Sequence, residues 1–244
     1  MAANLVLGVS QGLTWSTTVV MKMDLVGPHR RGAAMGLNEA AGYLGVAATA
    51  MATGYLAAHY GLRPAPFLLG AAYIALGLSL SVLTVRETRD HAHLEATGHT
   101  TTHTHAHGAL SNRQIFALTS FRDRSLSSVT QAGMVNNLND GLAWGLFPVL
   151  FAAAGLTLGQ IGVLAAAYPA VWGALQLATG ARSDRWGRKG FIVAGMLTQA
   201  AALGLIAAGS TFEMWLVAVV LLGAGTAMAY PTLLAAIGDV AHPT

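Results

Sequence analysis

The chain has 244 residues, of which 54% are hydrophobic and 9% charged, and its mean hydropathy is +0.55; a water-soluble domain of this length does not tolerate such a composition. With no cysteine it has neither disulfides nor thiolate metal sites. The formal net charge of +3 reports how Lys and Arg are placed around membrane spans and gives no argument for nucleic acid as a partner.

A bilayer core about 30 Å thick requires about 20 mostly apolar residues per helix. Seven segments meet that demand: Asn4–Met23, Ala33–Ala58, Pro66–Val85, Leu126–Ala154, Ile161–Ala181, Phe191–Gly209 and Met214–Ile237. They are too long for barrel strands and lack sustained period-2 alternation. The fold class expected is an all-α membrane protein, a polytopic bundle of about seven transmembrane helices. Glycine, at 29 residues, allows such helices to approach closely.

In the first span Gln11, Trp15 and Thr18 share one face at i, i+4 and i+7, which suits an amphipathic solute, although aromatic residues at such positions more often pack or anchor. Lys22 is placed to snorkel to the surface, and Arg30 and Arg31 follow in the next loop. Asn38 and Glu39 in the second span are expected at the same rim, with Glu39 joining a charge network there. A polar linker follows over residues 86–124.

Six of the nine histidines fall in that linker: His91, His93, His99, His103, His105 and His107. Imidazole is a common ligand for Zn, Ni and Cu, and a flexible chain with many of them can wrap a cation, which makes a divalent-metal (nickel or cobalt) exporter one alternative. The spacing matches no defined metal framework and is equally that of a low-complexity linker. No cofactor is expected.

The fourth span carries the densest polar cluster, Gln131, Asn136, Asn137, Asn139 and Asp140, followed by Trp144 and Pro148. Asn136, Asp140 and Trp144 share a face at i, i+4 and i+8. A carboxylate in hydrocarbon is expensive, so Asp140 is expected to face the bundle interior or a wet cavity and to serve substrate or a coupling ion. The asparagines fit substrate binding and helix–helix bonding equally well. Tyr168, Trp172 and Gln176 in the fifth span repeat the aromatic-and-amide pattern, and Tyr230 with Pro231 interrupts the seventh.

Basic residues sort the loops. Arg30 and Arg31, then Arg86, Arg89, Arg113, Arg122 and Arg124, then Arg182, Arg185, Arg188 and Lys189 occupy alternate loops, while the others hold only Arg63 and Glu213. The basic loops, including the linker and 180–189, are therefore expected in the cytoplasm. That arrangement puts the amino terminus outside with no leader to deliver it, and the chain stops as a cytoplasmic loop begins, so a fragment of a longer protein is expected. A spacing echo supports an internal repeat: Gly8, Asp24 and Pro28 are matched by Gly223, Asp239 and Pro243.

Gly180, Asp184, Arg185, Gly187, Arg188 and Lys189 fill every position of Gly-x-x-x-Asp-Arg-x-Gly-Arg-Lys/Arg, and with them the chain resembles the major facilitator superfamily of secondary transporters. The resemblance implies part of a twelve-helix fold in two six-helix halves, with residues 1–85 as the end of the first half, 86–124 as the cytoplasmic His-rich central linker and 125–244 as the start of the second half. The seven spans would be helices four to ten, and Pro28–Gly32 would be the loop after the fourth. It implies a small-molecule substrate with a coupling ion as an option, a multi-pass location among lipids, and missing helices for an adjacent chain to supply; the high Ala, Gly and Arg usage points to a bacterial inner membrane. Gln11-Gly12 keeps the tail of a fourth-helix motif whose Arg is absent, and Gly45, Thr49 and Gly54 do not form the antiporter motif of the fifth helix. Asp184 is placed to meet the positive end of the helix starting near Gly32, forming with Arg30, Arg31 and Glu39 a latch between halves; a topological anchor is the plainer reading. No nucleophile–base pair, zinc-hydrolase helix or phosphate loop is present, so no enzyme is expected. A seven-span receptor-like protein or a non-transporting fragment completes the alternatives.

Overall fold

The computed structural model describes residues 2–26, 30–85 and 111–240, and among them no strand occurs. The first group of helices is α1 (Ala2–Leu25), α2 (Arg31–Tyr60) and α3 (Ala65–Thr84). A short α4 (Asn112–Ala117) runs on through a π-turn at Leu118–Arg122. The second group is α5 (Arg124–Gly141), α6 (Phe147–Ala153), α7 (Leu158–Trp186), α8 (Arg188–Ala208) and α9 (Phe212–Val240).

Each of the seven expected spans lies on one of these helical runs. Only α3, α7, α8 and α9 are by themselves long and apolar enough to cross a membrane. α1 and α2 have the length, 24 and 30 residues, but Ser, Thr, Gln, Asn and Glu dilute their apolar character. The fourth span is divided: a π-turn at Leu142–Leu146 separates α5 from α6, immediately after Asp140. The wider π ring leaves the helical ladder locally offset, a device common at functional sites.

Local chemistry sets the helix ends. Thr157 accepts a hydrogen bond from the Gln160 amide and Gln160 returns one to the Thr157 backbone, a capping box that starts α7. Between α7 and α8, Gly187 has φ 92°, a left-handed conformation that side-chain-bearing residues rarely adopt. The segment 86–124, expected as linker, is helical from Asn112 because Ser111 and Gln114 form the same reciprocal cap. Asp123 then caps α5, accepting from the Leu126 amide at 2.7 Å.

Successive long helices run antiparallel. Lys22 reaches Asn38, Asp184 meets Gly32 and Arg188 meets Asp239, so the helix ends at Leu25, Arg31, Trp186, Arg188 and Val240 gather on one side, called here the charged end. The turns at 61–64, 154–157 and 209–211 gather at the other.

The two groups meet chiefly along α2 and α7, and glycine decides how closely. A Cβ on Gly180 would strike the Gly32 carbonyl, and one on Gly36 would strike the Gln176 carbonyl. Near the opposite end, a Cβ on Gly162 would lie 3.3 Å from the Gly54 Cα. Backbone therefore touches backbone over nearly the whole seam, the close approach that small residues permit between membrane helices. The second group has its own core, in which Phe151, Leu164, Trp172, Trp215 and Leu222 are buried. By contrast α3 buries no residue, and its exposed Phe67, Leu68, Ile74 and Leu83 form a surface suited to lipid tails.

Candidate functional site

Two polar constellations lie on the seam. The first is at the charged end. Asp184, in the last turns of α7, accepts hydrogen bonds from the Gly32 and Ala33 amides at 3.0 Å each, one to each carboxylate oxygen. Those amides open α2 and have no partner within their own helix, so the carboxylate both satisfies them and meets the positive end of the helix dipole. Arg188 approaches Asp184 at 2.7 Å, donates to the Ser183 hydroxyl at 2.7 Å and donates from Nε to Asp239 at 3.0 Å. Arg31 donates to the Gly238 carbonyl and lies 4.0 Å from Asp239. Burial works against the charge on Arg188, but its bonds to Asp239 and Asp184 outweigh that and hold its pKa above the ordinary value. The clasp thus joins α2 of the first group to α7, α8 and α9 of the second. Gly32 is small for this reason: a Cβ there would fall 2.5 Å from Asp184 Oδ1.

The second constellation lies at mid-depth. Tyr43 of α2 stacks on Trp172 of α7 with ring centroids 3.3 Å apart. Trp15 of α1 meets Tyr43 edge-on at 5.6 Å. Tyr230 of α9 meets Trp172 edge-on at 5.5 Å, and Tyr168 lies 5.6 Å from Trp172. Asp140 accepts a hydrogen bond from the Tyr168 hydroxyl at 2.7 Å. Glu39, wholly buried, accepts from the Asn38 amide at 2.8 Å, and Lys22 donates to the same Asn38. Four buried polar atoms in this region have no partner: Glu39 Oε2, Trp172 Nε1 and both amide atoms of Gln176. An unpartnered buried group costs about 1–3 kcal/mol, which a ligand able to bond it would recover.

Behind Asp140 a hydrogen-bonded chain ties the second group together. Gln199 of α8 donates to Asn136 at 2.6 Å and to Thr226 at 3.0 Å, and accepts from Asn139 at 2.9 Å. Tyr168 lies 3.4 Å from the Thr226 hydroxyl, so Asp140 is continuous with this chain. Of the buried polar atoms in this hydrogen-bonded chain Asn136 Nδ2 alone lacks a partner, and the bonds that are made tie together the packing of α5, α7, α8 and α9.

The candidate residues thus separate. Trp15, Tyr168, Trp172, Gln176 and Asp140 converge on the seam. Asn136 is fully buried against Gln199 and bonds helices together away from the seam. Asn137 is exposed and lines a groove with Tyr230, Thr130 and Ile237. Trp144 lies 6.0 Å from Tyr168, and Gln11 is exposed on α1. At the charged end, Arg31 joins the clasp, whereas Arg30, Arg185 and Lys189 are exposed. The placement of Glu39 with the charged rim is corrected: eight residues beyond Arg31 it stands about 12 Å further along the axis, and it belongs to the mid-depth cluster. His91, His93, His99, His103, His105 and His107 lie outside the described residues, and among the described residues no group of three or more potential metal ligands occurs. The sequence reading missed Gln199, Thr226, Tyr43 and the role of Asp239. Tyr43, four residues after Glu39 on the same helix face, and Asp239, in the spacing echo, were the two with a usable signal.

Long apolar helices in two groups, clasped at one end and polar at mid-depth where the groups meet, define a polytopic membrane protein built around an inter-group seam. The sequence profile of the Major Facilitator Superfamily matches residues 1–127 and again 129–244. The chain belongs to that superfamily of membrane transporters. No curated protein and no solved structure matches the chain.

Proposed function

We propose that the chain moves a small solute across the bilayer by alternating access, with α1–α3 and α5–α9 as the two moving bodies. The mid-depth cluster of Trp15, Glu39, Tyr43, Asp140, Trp172 and Gln176 is the solute site, and Asp184, Arg188, Arg31 and Asp239 form a releasable latch. The charged end faces the cytoplasm in this reading, because Lys and Arg concentrate in its loops. The observation that carries the proposal is that Asp184 of one body is held by the first amides of α2 in the other. A contact of charge with helix end, partly open to water, is one that can be broken and remade, since water competes for both partners. Polar atoms left unpartnered on the seam suit a place that solute enters when the bodies part.

Two-sided accessibility tests this. The chain has no cysteine, so Gln176→Cys supplies a single thiol at a fully buried seam position. A membrane-impermeant maleimide should label it slowly from the cytoplasmic face in inside-out vesicles and from the outer face in right-side-out vesicles. Labelling from neither face, or from one face only under every condition, contradicts alternating access.

A further inference from the structure

The titratable groups and the rings of the mid-depth cluster both restrict what it can hold. Resting on the transport reading above, we infer that its solute is a compact organic monocation with a flat, aromatic-sized body and at least one hydrogen-bond donor.

The charge follows from the groups facing the cluster. Glu39 and Asp140 contribute two carboxylates, from α2 and α5. Lys22 of α1 reaches this region through Asn38 and contributes one cation. The remaining titratable groups packed on it are the hydroxyls of Tyr43, Tyr168 and Tyr230. A cation in the site favours the ionised form of both carboxylates; the protein groups then sum to one negative charge, so one positive charge on the occupant neutralises the site and a second would not be matched. An anion would meet two carboxylates in a region screened from water, where like charges repel strongly.

The shape follows from the rings. Tyr43, Tyr168 and Tyr230 pack around Trp172, and Trp15 packs on Tyr43; ring faces attract cations through their quadrupoles, most strongly where water is excluded. Tyr43 occupies the face of Trp172 in this closed seam. Because Tyr43 rides on α2 and Trp172 on α7, parting the two bodies lifts one ring from the other and leaves a gap the width of an aromatic plane. A flat solute takes the place of Tyr43 on Trp172.

The donor follows from the unpartnered atoms. Gln176 Oε1 and Glu39 Oε2 are acceptors without donors, while Gln176 Nε2 and Trp172 Nε1 are donors without acceptors. An aminated heteroaromatic cation meets the first pair through its N–H groups and retains the π-face for the ring of Trp172.

The test is binding to the whole chain in lipid nanodiscs, measured by equilibrium dialysis against empty discs, with three tricycles of like size: proflavine as cation, acridone as neutral body and acridine-9-carboxylate as anion. Proflavine should bind at least about tenfold more tightly than either of the others. Asp140→Asn and Glu39→Gln should each weaken proflavine about tenfold and leave acridone unchanged, and Glu213→Gln, an exposed carboxylate at the opposite end, should change neither. Equal binding of the three tricycles by the unaltered chain overturns the inference without recourse to any variant, as does unchanged proflavine binding in both carboxylate variants. If Gln176→Cys is labelled from both faces and the tricycles bind alike, the transport reading stands and the assignment of a cation falls. If proflavine is selected and Gln176→Cys is reached from one face alone, the cation site stands and the transport reading falls.

Discussion

Replacing Asp184 by Asn keeps the volume of the side chain and removes its charge, so it isolates the electrostatic part of the clasp. In the closed seam each carboxylate oxygen takes one amide of α2, at 3.0 Å from Gly32 and from Ala33, and Arg188 stands 2.7 Å away. Asn keeps one acceptor and turns an NH2 group toward the second amide, so one bond is lost, the other loses its ionic character and Arg188 loses a counter-charge. Hydrogen bonds to charged groups contribute about 1.5–3 kcal/mol and partly exposed ion pairs less than about 1 kcal/mol. A net loss of about 2 kcal/mol shifts the closed-to-open ratio roughly 30-fold. Arg30 and Lys189 are exposed at the charged end on opposite bodies; both replaced by spin-labelled cysteines in this cysteine-free chain, they report the separation by double electron–electron resonance. The substitution should populate a longer distance at the expense of the short one. A distance distribution that stays unchanged would refute the latch and leave Asp184 as a topological anchor.

Two further substitutions probe the seam and the second body. Gly180→Ala places a methyl against the Gly32 backbone carbonyl, which cannot move aside, and should destabilise the closed form by about 1–3 kcal/mol; Gly45→Ala, which meets nothing within 4 Å, should be neutral, and thermal denaturation of the purified chain compares them. Asn136→Leu and Gln199→Leu each strand a buried partner at a cost of about 1–3 kcal/mol, while the double variant should cost less than the sum, a coupling that a double-mutant cycle on the same melting assay measures.

Much of this architecture is legible in the sequence because length and polarity act locally. Seven apolar runs become seven helical runs, and Gly187 sits where only glycine turns the chain easily. The position of Asp184 opposite Gly32 also has a local cause, since a helix end without partners for its amides attracts a carboxylate. What the sequence conceals is which face of a helix meets which neighbour. Asn136 and Asp140 share a face by periodicity, yet Asn136 finds Gln199 on α8 while Asp140 finds Tyr168 on α7. That difference depends on where α7 and α8 pass. The charge of Glu39 suggests a surface, while its depth along α2 puts it within the bundle, where it is wholly buried. The π-turn after Asp140 has no sequence signature beyond Gly141 and Gly145, and the helix from Asn112 was masked by the polar segment before it.

Alternating access requires the two ends of the seam to open in turn, and distances at both ends of one molecule measure it most directly. One labelled pair replaces Arg30 and Lys189; a second replaces Tyr60 and Leu158, exposed residues at the opposite ends of α2 and α7. The account predicts that whatever lengthens the first distance, Asp184→Asn included, leaves the second short, and that conditions lengthening the second close the first. Both pairs lengthening together, or neither moving, would contradict it.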